Sequence, residues 1–345
     1  MYYSEFHNHK WAKNLVHARV LLAQDDFKTF YGGKDLPGGD VYPGMRLMAA
    51  YWVSVEHEMR MRLGMLLQGS GHPEWREDTE LLAQRDDFVG RYVADMRELI
   101  ARDGIVPPEQ FEGLAAGDYE TPAGWADAML GWQSATQAAL DAGAALPPSL
   151  IEVWFGSCLR SVLNYNRYLI WGGVIAAALV RREGAAALVA AVDRTAEDFM
   201  WEISREFYAN VLPAAGFEDV GDIMELGMRG MFSDQVYVAG AEEEFEGGTL
   251  KRSILKNCEL GGIFHRVAEW NGLPKTALGY AICRYCETHG AATMLLTMPP
   301  MYHPEYRRVQ SIGMDDAECL FELKLLEADD MERLMEAQGR VFSAE

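Results

Sequence analysis

Positive charge is scarce in this 345-residue sequence. Lys and Arg number 31 against 52 Asp and Glu, a formal net charge of −21. No Lys/Arg cluster of useful size offsets that deficit. Phosphate contact needs a basic face, so nucleic acid is not an expected partner. Long apolar runs are also missing. The longest, Leu169 to Val180, is 12 residues between Arg167 and Arg181. A membrane-spanning helix needs roughly 20, so this run reads as a buried helix in a bundle, and no membrane partner is expected. The start, MYYSEFHNHKW, lacks the basic segment and apolar core of a secretory signal, and no lipidation signal is seen. Cysteine is sparse, with five in the chain. An odd number without a signal points to reduced thiols and a cytoplasmic location. The sequence holds no G-x-G-x-x-G after a strand, no P-loop, no G-x-S-x-G and no His-Glu-x-x-His. Those absences remove the commonest nucleotide, serine-hydrolase and zincin chemistries. Glu56-His57-Glu58 does not supply the Glu-x-x-His of a di-iron bundle, and that spacing occurs nowhere in the chain.

What is present reads as two parts. Residues 1–225 give helix after helix. Helical spacing predicts elements over about Pro43–Gln68, Asp78–Arg102, Pro122–Ala142, Pro148–Arg182 and Ala186–Leu212, separated by Gly, Pro and Asp. The character changes near residue 225. Gln235–Val238 favours strand. After Gly247-Gly248, the alternation of Leu250, Arg252 and Ile254 against Lys251, Ser253 and Leu255 argues a strand with one buried face. Helices are expected over about Leu260–Trp270 and Lys275–His289. A hairpin of Tyr306–Ile312 and Cys319–Leu326 then turns through Gly313-Met314-Asp315-Asp316, and a closing helix covers Asp329–Phe342. The expected fold is α+β: a large all-helical part, then residues 226–345 as a smaller α+β domain with a short antiparallel sheet.

The chemistry-bearing residues gather in that second part, which holds four of the five cysteines. Cys258 follows a strand, Cys283 and Cys286 share a helical face with His289, and Cys319 begins the last strand. Three readings stay open. Free cysteine is often a small buried core residue. The set Cys258, Cys283, Cys286 and Cys319 has the composition of a zinc or iron–sulfur site, although only one C-x-x-C is present. Alternatively, one thiolate is a nucleophile assisted by His289 or His265, its pKa lowered by a nearby cation such as Arg252, Lys256 or Arg284. His7 and His9 read as solvated residues near the terminus, and Asp198, Glu202 and Glu206 as a solvated acidic face.

Lys256-Asn257-Cys258, Cys286-Glu287-Thr288-His289, Ile312-Gly313 and Cys319-Leu320-Phe321 together resemble the L-2-amino-thiazoline-4-carboxylic acid hydrolase-like family over about the last third of the chain. The family's pattern has Asp where His289 stands, so the acid–base group differs here. The resemblance implies a hydrolase acting on a C–N or C=N bond of a small nitrogen heterocycle. In that reading Cys286 or Cys319 is the thiolate, Cys258 joins them, and His289 moves the proton. Arg252 or Lys256 holds a substrate carboxylate, with His265 in reserve. No cofactor is required by it. The competing expectations are a zinc- or iron-dependent oxidoreductase on the four cysteines and a non-catalytic small-molecule-binding module. The Trp- and Met-rich helical part suggests a homodimer.

Overall fold

A computed structural model of the chain describes residues 58–103, 148–206, 241–246, 249–255, 258–297 and 304–325, with a few isolated helical positions between 109 and 142. The expected elements at Gln235–Val238 and Asp329–Phe342, most of Pro122–Ala142, the first half of Pro43–Gln68 and the boundary near residue 225 lie outside these. The fold is helical in bulk with a small α+β part, as the sequence pattern predicts. Helix α1 covers residues 58–70. A short 3-10 turn at Pro73–Glu77 leads into α2, Thr79–Asp103. Asp78 starts α2 by accepting from the backbone N–H groups of Glu80 at 2.9 Å and Leu81 at 3.1 Å, which otherwise lack partners in the first turn. Helix α3 covers Pro148–Glu183 and α4 Ala185–Glu206. Gly184, at φ +95°, ends α3 and donates its N–H to the Val180 carbonyl at 2.9 Å. That left-handed stop favours glycine.

The apolar run of α3 is buried along its length, from Leu169 to Leu179. Among the described residues no helix is long and apolar enough to cross a membrane. On α4, Leu188, Ala191, Val192, Thr195, Ala196, Phe199 and Ile203 are buried. Their three- and four-residue spacing forms the single stripe that an amphipathic helix turns to a core.

The second part follows. Strands β1 (Ala241–Glu246) and β2 (Thr249–Leu255) precede helices α5 (Glu259–Trp270) and α6 (Gly279–Thr297). Strands β3 (Pro304–Gln310) and β4 (Cys319–Leu325) complete one antiparallel sheet in the order β1-β2-β4-β3. Strands β1 and β2, on either side of residues 247–248, pair antiparallel. The first of them, Ala-Glu-Glu-Glu-Phe-Glu, was not expected because Glu is depleted in strands. Here it lies at a sheet edge, where charge discourages pairing with another chain. Helix α6 begins four residues later than predicted, because Pro274–Gly279 folds as turns, with Ala277 N–H on the Pro274 carbonyl and Gly279 N–H on the Thr276 carbonyl.

The two parts share a core. Helix α5 packs on α3 and α6 on α4. A Cβ at Gly173 of α3 would lie 3.1 Å from Val267 of α5. Tyr285 of α6 meets Phe199 edge-on at 5.1 Å and shares a 2.8 Å hydrogen bond with Thr195. Phe199 is fully buried, which alone is worth about 1.5–3 kcal/mol. Val189, Val309 and Met314 are the large apolar side chains exposed among the described residues.

A very tight contact lies at the start of α6, where a Cβ on Gly279 would stand 2.0 Å from the Gly313 carbonyl oxygen. Gly279→Ala should destabilise the protein by about 2–3 kcal/mol through backbone displacement. Urea unfolding that differs from wild type by less than experimental error would show that the two segments do not touch.

Candidate functional site

The site is built on the loop between β3 and β4. Ser311 anchors it: its N–H donates to Asp316 Oδ2 at 2.7 Å, and its carbonyl accepts from Met314 and Asp316. Asp315 takes the left-handed conformation, φ 75°, and pairs with Lys275. The loop crosses the first turns of α5 and α6 with bare backbone at each meeting point. A Cβ on Gly261 would lie 3.2 Å from Gly313 N, and one on Gly313 would lie 2.4 Å from Cys283 Sγ. His265 of α5 holds the same loop: its Nε2 hydrogen-bonds the Gly313 carbonyl at 2.9 Å. A carbonyl only accepts, so Nε2 carries the proton. Burial pushes the His265 pKa down, which keeps the ring neutral. This placement makes His265 a support for the loop rather than a base at the sulfurs.

Four cysteines come to this junction. Cys258 is the N-cap of α5, and its Sγ accepts from Gly261 N–H at 3.2 Å. Cys319 is buried at the start of β4, and its Sγ accepts from Ile312 N–H at 3.3 Å. Cys258 and Cys319 are close enough to set each other's protonation. Cys283 Sγ lies 2.6 Å from Ser311 Oγ. Cys286 is half-buried one turn further along α6 and within electrostatic reach of Cys258 and Cys283.

These contacts divide the sulfurs. Cys319 is drawn down to about 7: the Cys258 S–H donates to it, and Ile312 N–H, Arg308 and Ser311 also favour its anion against the cost of burial. Cys258 is pushed well above its usual range by its bond to Cys319, with burial and the negative charge on the neighbouring sulfurs adding to this. Helix N-caps normally favour an anion, but Arg308 stands beside Cys319 and breaks the symmetry. The pair thus gives up one proton near neutrality and holds the second. Burial lifts Cys283 to about 11, against Arg308 and Ser311.

His289 lies on α6, one turn beyond Cys286, and Arg252 lies on β2 opposite Glu244 and Glu322. The side chains of both are outside the described residues, as are Lys256, His7, His9 and His57. Arg284 belongs to a different cluster, paired with Glu287 at 3.0 Å and near Asp193. Asp198 and Glu202 are exposed. Among the described residues no group of three His, Cys, Asp or Glu side chains is arranged to hold a metal ion. Cys258, Cys283, Cys286 and Cys319 are free thiols whose described partners are each other, Ser311 and backbone N–H groups.

Two cations that matter were missed in the sequence. Arg308 sits on β3 opposite Phe321, and its guanidinium donates to the Cys283 carbonyl. It comes three residues before Ser311, where the loop that meets the thiols begins, a cue only once the hairpin register is known. Arg62 is buried on α1 with Glu58, its Nε 2.7 Å from Glu58 Oε1. The four-residue spacing of that pair within an apolar stripe was readable as a buried ion pair. Arg62 lines a cavity between α1, α3, α5 and α6.

No protein-family model matches the chain, and no similar curated protein or solved structure is found.

The thiol at 319 should react with iodoacetamide along a pH profile centred near 7. Cys258→Ala removes the strongest stabilising contact, so the midpoint should climb toward the ordinary 9.0. An unchanged midpoint in that variant would show that the two sulfurs do not share a proton.

Proposed function

We propose that this chain is a thiol-dependent hydrolase acting on a C–N or C=N bond of a small nitrogen heterocycle. One arrangement carries the reading: Cys258 Sγ accepts from Gly261 N–H at 3.2 Å and Cys319 Sγ from Ile312 N–H at 3.3 Å at one junction, with Cys258 and Arg308 favouring the Cys319 anion. The resemblance to the thiazoline hydrolase-like family is the second support, because its Cys258, Gly313 and Cys319 pieces meet at one junction.

The pair suits addition to an electrophilic carbon. The thiolate sulfur forms a bond to the C=N carbon, and the π electrons move to nitrogen. The thiol of the other cysteine gives its proton to that nitrogen and becomes the thiolate. Water then attacks the carbon as the C–S bond breaks, and its proton returns to the two thiolates; the resulting C(OH)–N adduct collapses to C=O, its hydroxyl proton passing to nitrogen as the C–N bond breaks. The net change is addition of one water and rupture of the C–N bond. Cys319 is buried and Cys258 half-buried, so substrate reaches the pair from the Cys258 side. His289, one turn beyond Cys286, is the proposed second proton carrier. We also place the protein in the cytoplasm, where these thiols stay reduced.

The test is turnover of 2-amino-thiazoline-4-carboxylate followed by chromatography. Wild type should release the ring-opened product, and Cys319→Ser and Cys258→Ser should each lower kcat/KM by at least about a hundredfold. Turnover unchanged in both variants overturns the thiol mechanism. Thiols that alkylate only after denaturation, with no turnover, assign the cluster to packing or to a non-catalytic binding module.

A further inference from the structure

We propose that Cys258 and Cys319 form a redox couple, in which hydrogen peroxide joins the two thiols into one reversible disulfide. Two chain segments converge on one loop to carry it. Cys258 caps α5 in extended backbone, φ −142° and ψ 102°, and its Sγ accepts from Gly261 N–H at 3.2 Å. Gly261 in turn faces Gly313, where an added Cβ would lie 3.2 Å from Gly313 N. The residue before it, Ile312, gives its N–H to Cys319 Sγ at 3.3 Å. The two sulfurs therefore sit against the same short stretch of backbone. The sheet brings the segments together a second time, because Leu255, three residues before Cys258, is the antiparallel partner of Cys319.

The other two cysteines of the junction are worse placed. Cys283 and Cys286 lie one turn apart within α6. Helical neighbours of that spacing hold their Cβ atoms about 5–6 Å apart, whereas a disulfide needs about 3.5–4.5 Å. Cys283 Sγ is also engaged by Ser311 Oγ at 2.6 Å. Cys258 stands outside the regular turns of α5 and Cys319 opens β4. Each can close on the other without breaking a helix.

The two sulfurs divide the labour. Cys319 is drawn down to about 7 and supplies the thiolate, while Cys258 is pushed up and keeps its proton. The Cys319 sulfur attacks one peroxide oxygen, the O–O bond breaks, and the departing hydroxide takes a proton from solvent. Cys319 is then a sulfenic acid. The Cys258 sulfur attacks the Cys319 sulfur, the S–O bond breaks, and hydroxide leaves with the Cys258 proton as water. Two thiols and one peroxide become one disulfide and two waters. Cys319 is buried and Cys258 half-buried, so a small oxidant enters from the Cys258 side. In a reducing compartment such a bond is transient, as redox-sensing disulfides are. It occupies both sulfurs of the proposed hydrolase and would silence it. That consequence rests on the hydrolase reading, and formation of the bond does not.

The full chain, reduced and then treated with hydrogen peroxide, is blocked with N-ethylmaleimide and mapped by mass spectrometry without reductant. Peptides holding Cys258 and Cys319 should be joined in most molecules, and dithiothreitol should part them. In Cys258→Ser the second step is lost, so Cys319 should accumulate as a sulfenic acid that dimedone traps. The wild-type map needs no variant, so poor folding of a substituted chain leaves it decisive. Absence of the link, a dominant link to Cys158, Cys283 or Cys286, a link between two chains, or sulfinic acid on Cys319 with Cys258 still free would each overturn the couple. Turnover separates the two readings. Linked protein that regains turnover with dithiothreitol supports both, and linked protein that is inactive before oxidation and after reduction upholds the couple while removing the hydrolase.

Discussion

Backbone meeting backbone at Gly313 is the constraint on which the cysteine junction depends. The loop after β3 reaches the first turns of α5 and α6 because three positions lack a Cβ: Gly261, Gly279 and Gly313 itself. The approach sets the spacing of everything around it. It places Ile312 N–H on Cys319 and Ser311 on Cys283, and leaves the Gly313 carbonyl for His265. A Cβ at Gly279 or Gly313 would meet the facing atoms at 2.0 and 2.4 Å, closer than real contacts allow, so the segments would have to shift.

The second constraint is electrostatic. A chain of net charge −21 opposes a buried thiolate, yet distant surface charges are screened over about 8–10 Å. What decides the protonation of Cys319 is its immediate shell of one thiol donor, one backbone N–H and Arg308. The same locality governs Arg62, whose charge is answered by Glu58 on the next turn. Two buried polar centres therefore flank α6 with opposite characters: Cys319, its anion favoured by Cys258 and Arg308, on the loop side, and the Glu58–Arg62 pair of α1 in hydrocarbon on the other.

Helix α6 can do this because its two neighbours differ. Against α4 it presents Tyr285, whose hydroxyl is satisfied by Thr195 and whose ring packs on Phe199. Against the loop it presents Cys283, and Arg308 caps the Cys283 carbonyl from the sheet. The domain division suggested by composition is thus crossed by the core: the helices of the second part have no separate hydrophobic interior among the described residues but close onto α3 and α4.

Much of this was legible in sequence. The 3.6-residue stripe of α4, the buried apolar run of α3, the glycine stop at 184 and the hairpin ending at Cys319 all follow from local periodicity and turn chemistry, which act over neighbouring residues. The local placing of the cysteines was also readable, Cys258 and Cys319 at element ends and Cys283 and Cys286 on one helical face. Three things were not. The acidic strand β1 depends on its edge position, the partners of His265 and Arg308 depend on the register between β3 and β4, and the place of Arg62 on the wall of a small cavity depends on how four helices stack. Each is a contact between segments distant along the chain, and no periodicity encodes the ångström-scale separation that turns a thiol into a thiolate.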